Sequence, residues 1–210
     1  MEGSTVLYRR EGNVGIITLN RPHRLNALTG DLLKTFMEIL DAARRDKDAA
    51  VVIMTGSGKS FCSGEDLKET AEGKSVETWV DEADRLQDVQ RYTLKLDKPL
   101  IAAVKGYAVG GGCEIAMSCD IRIAGKSAIF GFPETGVGLT VTNAGTKLLT
   151  HLVGLGKAKE LVFTGEFIDA NEACKIGLAN KVVPDDALMD EALSMAQKIA
   201  QRSPMALRLS

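Results

Sequence analysis

Histidine is nearly missing from this 210-residue chain: His23 and His151 stand far apart. There is no H-E-x-x-H and no other ligand spacing, so a zinc site would have to be assembled from scattered residues. Tryptophan occurs once, as Trp79, and aromatic residues make up 5%. That is too few to suggest a stacking platform for single-stranded nucleic acid. None of the four cysteines, Cys62, Cys113, Cys119 and Cys174, forms a C-x-x-C pair. In a chain of this length they do not read as a disulfide framework, and reduced thiols in a cytoplasmic setting are expected. No apolar run reaches the roughly 18 residues that a membrane helix needs. Met1 to Gly15 carries charges and no apolar h-region, so no signal peptide is expected. An excess of positive charge is also lacking: 26 basic residues face 28 acidic ones, a formal net charge of -2. This argues against a generic nucleic-acid or anionic-membrane partner. The basic cluster Arg44, Arg45 and Lys47 is interrupted by Asp46 and Asp48 and reads as a solvated face.

Several familiar catalytic signatures are absent too. Gly-Lys-Ser occurs at Gly58, Gly73 and Gly125, but a phosphate-binding loop needs a second glycine five positions earlier. Those positions hold Ile53, Lys68 and Asp120. No serine lies in G-x-S-x-G, the strained elbow of the hydrolases, and no G-x-G-x-x-G follows a strand.

What is present is an alternation of strand and helix signals. Val14 to Leu19 and Ala50 to Thr55 are β-branched apolar runs, and Pro99 to Val104 is a third. Between the first two, Asp31 to Arg45 places Leu32, Leu33, Phe36, Met37, Leu40 and Ala43 at helical spacing. Residues 67–96 read as helix in two pieces. Short strands are expected at Ile121 to Ala124, Ala128 to Phe130 and Lys181 to Val183. Helices are expected at Lys147 to Leu155, Ala158 to Phe163, Asn171 to Ile176 and Ala187 to Gln201. This order predicts an α/β domain with a covered sheet.

Two glycine-centred segments carry chemistry. Ser60 to Glu69 (SFCSGEDLKE) follows a strand and a turn. Gly64 lets the backbone turn without a Cβ clash, and the Glu65 amide is expected at a helix start, where N–H groups lack internal partners. Lys105 to Asp120 (KGYAVGGGCEIAMSCD) places Gly110, Gly111 and Gly112 before a short apolar helix, again aiming amides outward. Two such amides converging on one carbonyl oxygen make an oxyanion hole, though most glycine-rich strand-to-helix turns are structural. Glu114 lies in the first turn of that helix, and Glu134 sits in the loop FGFPETGVG. Taken singly, one is a helix-dipole carboxylate and the other a loop charge. Taken together, they are a carboxylate pair suited to acid–base work.

These stretches, with Asn20 to Leu28 (NRPHRLNAL) and Phe163 to Pro184, resemble the crotonase (enoyl-CoA hydratase/isomerase) superfamily in order and spacing. GGGCE followed by a later PE is the most specific part, and the resemblance spans nearly the whole chain. It implies a spiral of ββα units, residues 1–195, with 196–210 opening a C-terminal helical segment that family members continue. It implies homotrimers or dimers of trimers, and an acyl-coenzyme A thioester as ligand. By position, the amides of Glu65 and Gly111 would bind the thioester oxygen. Arg24, Ser63, Gly64, Asp66, Leu67 and Gly110 would lie along the coenzyme A portion. Glu114 and Glu134 would activate water and protonate the α-carbon, with no metal or redox cofactor. The implied activity is enoyl-CoA hydration. An enoyl-CoA isomerase, a specialised acyl-CoA lyase and a non-catalytic CoA-thioester binding subunit are the alternatives.

Three features depart from the family pattern. Glu65 stands where hydratases usually have a small residue. A third carboxylate there would alter specificity or point to solvent, and the cost of an unpaired buried charge favours solvent. The stretch after PE, Leu139 to Leu148 (LTVTNAGTKL), keeps only Gly145 and Thr146 of the usual pattern, which puts a simple short enoyl chain in question. The sequence given ends at Ser210, inside what resembles the start of a helix.

Overall fold

The computed structural model describes residues 4–66, 76–142 and 144–209. A six-stranded sheet runs in the order β1-β2-β3-β4-β6-β9 and a three-stranded sheet in the order β5-β7-β8. In the large sheet, β1 (Val6–Glu11) pairs antiparallel with β2 (Val14–Leu19). Strands β2, β3 (Val51–Gly56), β4 (Leu100–Val104), β6 (Ile121–Gly125) and β9 (Lys181–Val183) are all parallel.

The central strands are uninterrupted apolar runs because both faces of the sheet are covered. Alternate residues of β3 show this. Val52 and Met54 belong to one core cluster, and Val51 and Ile53 to the other. The first cluster takes in α1 (Gly30–Arg45), whose Leu32, Leu33, Phe36, Leu40 and Ala43 are buried at the expected spacing. Thr29 caps this helix by accepting from the Leu32 N–H at 3.2 Å, leaving one fewer orphan amide. Helix α2 (Val76–Leu94) packs beside α1 and contributes Leu86 and Val89. The second cluster is closed by α7 (Leu188–Ala200), which lays Leu188, Ala192 and Ala196 on the opposite face. The boundary at 195/196 suggested by the family pattern falls inside this helix.

The small sheet positions the site. Strand β5 (Tyr107–Val109) pairs in parallel with β7 (Ile129–Gly131), Val109 opposite Gly131, and β7 pairs antiparallel with β8 (Ile168–Asp169). The chain leaves β5 into Gly110 and α3 (Gly111–Met117). It leaves β7 into the 3-10 turn Pro133–Val137. Both turns therefore emerge side by side at the C-terminal ends of neighbouring parallel strands, where open α/β sheets bind ligands. Beyond them lie α4 (Ala144–Val153), α5 (Leu155–Thr164) and α6 (Ala170–Lys175), and α8 (Pro204–Leu209) follows α7.

The structure departs from the sequence reading at particular places. Strands β1, β5 and β8 go unread because the second half of β1 is charged and exposed, and β5 and β8 are too short to show a period. The expected two-piece helix appears as α2 over its described part, and the first piece lies outside the described residues. Helix α4 starts earlier than expected, at Ala144.

Candidate active site

A cavity of about 370 Å³ opens at the ends of β5 and β7. Its lining brings together Ser63, Gly64, Glu65, Gly110, Gly111, Glu114 and Glu134, with Leu86, Pro133, Val137, Leu139, Thr140 and Thr142 completing the wall.

The Cys62–Asp66 segment is threaded between two others. On one side, Cys62 bridges Ala108: its N–H donates to Tyr107 O at 2.8 Å and its carbonyl accepts from Val109 N at 3.1 Å. On the other side, Glu65 bridges Leu28. Leu28 N donates to Gly64 O at 2.8 Å, and Asp66 N donates to Leu28 O at 2.9 Å. Successive N–H groups in an extended chain point opposite ways, so with Asp66 N turned to Leu28, Glu65 N turns away from it. The amide is thus oriented by a β-bridge, and the helix start that the sequence suggested after it lies outside the described residues.

Gly64 makes the turn at φ +86°, and a Cβ there would lie 2.8 Å from Val109 O and 3.6 Å from Gly111 N. That contact brings the Glu65 strand alongside the first residue of α3. A Cβ at Gly112 would collide with the Cys62 carbonyl, so only glycine lets α3 approach this closely. Gly111 is the first residue of α3, where the N–H has no intrahelical acceptor. Two backbone donors from separate segments therefore flank one end of the cavity.

The two carboxylates reach the cavity from different turns. Glu114 is buried, 4% exposed, in the first turn of α3. Its Oε1 accepts from Gly145 N at 3.0 Å, which seats it on the start of α4. Glu134, from the turn after β7, lies over Gly110: its Oε1 is 3.1 Å from where a Gly110 Cβ would sit. Its Oε2 is buried with no hydrogen-bond partner. Burial pushes the Glu134 carboxyl above its ordinary value, and the charge of Glu65 adds to the rise. The Glu134 backbone N–H partly offsets both.

Glu65 is half-buried at the cavity wall, and its charge is felt by Glu134. The bridge to Leu28 holds its backbone there.

The other residues fall into two groups. Ser63 and Gly110 line the cavity. Arg24 and Asp66 meet each other instead, and neither belongs to the cavity lining. Arg24 Nη2 lies 2.9 Å from Asp66 Oδ1, and Arg21 Nη2 lies 3.3 Å from Oδ2. Leu67 lies outside the described residues. All four cysteines are free. Burial pushes the Cys62 thiol up to about 12, so its nucleophilic thiolate form is suppressed despite its position near the cavity. Cys113 and Cys119 are buried packing residues, and His151 is exposed in the last turn of α4.

Asn26 is the residue that sequence reasoning passed over. It is fully buried at φ +57°. Its Nδ2 donates to Ser57 O at 2.9 Å and Ser60 O at 2.8 Å, while Oδ1 accepts from Arg21 N at 2.8 Å. It pins the loop carrying Leu28 to the turn before Cys62 and so positions the Leu28–Glu65 bridge. An asparagine preceding an apolar pair in a proline-containing turn was the only available signal, because Asn tolerates left-handed backbone.

Comparison with known proteins agrees with this geometry. The sequence profile of enoyl-CoA hydratase/isomerase matches residues 9–210. The chain is 46% identical to a short-chain-enoyl-CoA hydratase from Clostridium acetobutylicum, covering 100% of this chain and 80% of that protein. It is 41% identical to a crotonyl-CoA hydratase from Syntrophomonas wolfei, covering 100% and 81%. The crystal structure of an enoyl-CoA hydratase from Bacillus anthracis superposes with a TM-score of 0.94 at 39% identity, covering 98% of this chain and 80% of that one. Family profile, full-chain relatives and superposable fold agree: this chain belongs to the enoyl-CoA hydratase/isomerase family.

Proposed function

We propose that the cavity holds the acyl thioester of an enoyl-CoA and adds water across its α,β double bond. One observation carries this reading: two backbone donors and two carboxylates from three separate segments converge on one cavity. The N–H groups of Glu65 and Gly111 receive the thioester oxygen. Withdrawing electrons through that carbonyl makes the β-carbon electrophilic. Glu114, fixed by Gly145, takes a proton from water as the water oxygen bonds to the β-carbon. The electron pair of the double bond moves onto the thioester oxygen, where the two amides hold the enolate. Glu134, whose buried carboxyl favours its proton, then protonates the α-carbon. Solvent returns the proton balance between the two acids. Donors preset for a charge that develops only in the transition state are worth about 2.7–4 kcal/mol each.

The step is acid–base chemistry and calls on no metal or redox cofactor. Arg24 acts in this reading by fixing Asp66 and the backbone beside the coenzyme A portion, with Ser63 and Leu67 along the same path. We further propose a homotrimer or dimer of trimers in the cytoplasm. Leu155, Phe163 and Phe167 on and after α5 are 60%, 72% and 52% exposed, apolar surface that a second copy would bury. Among the described residues no helix is long and apolar enough to cross a membrane.

The test follows loss of the conjugated enoyl-thioester absorbance of crotonyl-CoA. Wild type is expected to turn over, and Glu114→Gln and Glu134→Gln each to lose orders of magnitude in kcat while still binding the ligand. Full activity in either variant would remove that carboxylate from the mechanism.

A further inference from the structure

Helix α3 carries one of the two amides, Gly111, and one of the two acids, Glu114, yet it is only seven residues long. A helix that short is not stable by itself in water, so its place is set by what grips its ends. At the N-terminal end Gly112 lies against the Cys62 carbonyl. At the other end the grip is a buried cation. Arg122, on β6, is 4% exposed. Its Nη1 donates to Cys119 O, just past the helix, and lies 3.5 Å from Met117 O, the last helical carbonyl. Its Nε donates to Leu178 O at 2.7 Å, in the segment between α6 and β9. Asn180 closes that segment onto β6. Its Oδ1 accepts from Arg122 N and its own N–H donates to Arg122 O, both at 2.8 Å.

We propose that Arg122 is a positioning residue for the reaction: its guanidinium clamps the C-terminal end of α3 to the large sheet and to the Leu178 segment, and so sets where the Gly111 amide and Glu114 stand in the cavity. The proposal rests on the acyl-CoA reading of the site. A guanidinium is a rigid planar fork, so bonding carbonyls of two separate segments fixes their relative position as a flexible ammonium does not. Its positive charge also suits a helix end whose carbonyls lack internal partners. Helix α3 spans only about 10 Å, so a shift at its C-terminal end is carried through to Gly111. The Glu65 amide is held on the far side by the bridge to Leu28 and does not depend on Arg122. Loosening the clamp therefore misaligns one amide and one acid and leaves the other amide in place.

The test uses Arg122→Lys, which keeps the charge and loses the fork, and Arg122→Gln, which loses both. Two quantities are read. The first is kcat and KM for crotonyl-CoA, scaled to the folded fraction by circular dichroism. The second is the infrared carbonyl stretch of bound butyryl-CoA labelled with carbon-13 at the thioester. Butyryl-CoA has no double bond to hydrate, so its band reports polarisation by the amides alone. In wild type the band is expected to fall below that of the free ligand. In both variants kcat is expected to drop on the order of tenfold to a hundredfold, as for a displacement approaching 1 Å, with KM little changed. The downshift is expected to shrink without vanishing, because the Glu65 amide stays. Leu188→Ala, which empties a buried position on the opposite face of the sheet, controls for destabilisation alone. It is expected to keep both kcat per folded molecule and the full downshift. Wild-type kcat and downshift in both Arg122 variants, or equal losses in Leu188→Ala, would overturn the proposal. Absence of any downshift in wild type would strike the oxyanion reading and the proposal with it. A downshift that shrinks in the variants while wild type fails to hydrate crotonyl-CoA would leave the proposal standing and remove the hydratase step alone.

Discussion

Replacing Asn26 with alanine tests the claim that a buried amide, remote from the reacting atoms, holds half of the oxyanion pair in place. The substitution removes three hydrogen bonds of 2.8, 2.8 and 2.9 Å. It strands the carbonyls of Ser57 and Ser60 and the N–H of Arg21. At about 1 kcal/mol net per bond, the loss is about 3 kcal/mol. Alanine at φ +57° adds roughly 1–2 kcal/mol of left-handed strain, which asparagine largely escapes. The expected destabilisation is about 4–5 kcal/mol, a large share of a domain's typical 5–15 kcal/mol. Asn26→Gly relieves the backbone strain but not the lost bonds, so it is expected to fall between wild type and alanine. Urea unfolding followed by far-ultraviolet circular dichroism gives the stabilities. Crotonyl-CoA hydration under native conditions gives the activity of the folded fraction. If the loop of Leu28 slackens, the Glu65 amide moves, and a displacement near 1 Å costs on the order of a hundredfold in rate. A stability loss below about 1 kcal/mol would refute the hydrogen-bond argument. Full kcat per folded molecule would refute the positioning argument even if stability fell.

Glu134 links catalysis to pH-dependent stability. Its folded-state carboxyl titrates above the ordinary value, so the folded chain binds a proton that the unfolded chain has already released. Stability is therefore lost as pH rises from the ordinary carboxylate range through the folded-state value. Glu134→Gln is expected to be more stable than wild type at neutral pH and to lose that advantage at low pH. Urea midpoints across the pH range check this, and parallel curves for the two proteins would contradict it. The proposed assembly is checked by light scattering: three or six chain masses are expected, and a single-chain mass at micromolar concentration would rule out the trimer.

Some of this protein was legible from local chemistry. The strands Val14–Leu19, Val51–Gly56 and Leu100–Val104 are recognisable as buried because a doubly covered parallel strand must be apolar throughout. Helix α1 is recognisable because burial on one face imposes its spacing. The glycine triplet and Gly64 marked places where backbone comes close to something, and GGGCE with PE pointed to the family. None of these signals states what the glycines approach. Only the tertiary structure set Gly112 against the Cys62 carbonyl, turned the Glu65 amide away from Leu28 and brought Glu134 over Gly110. The three-residue strand β5, which with β7 aims both turns at one cavity, is too short to leave a period in the sequence. The position of Glu65 was undecidable in advance for the same reason. An isolated carboxylate is cheaper in solvent, but a residue held by backbone hydrogen bonds on both flanks goes where its strand goes. Sequence thus determined which segments are buried, which can bend and which family they belong to. Long-range pairing between Leu28 and Glu65, Cys62 and Ala108, and Val109 and Gly131 decided which amides and carboxylates share a cavity, because contacts between residues distant in the chain leave no trace in local spacing.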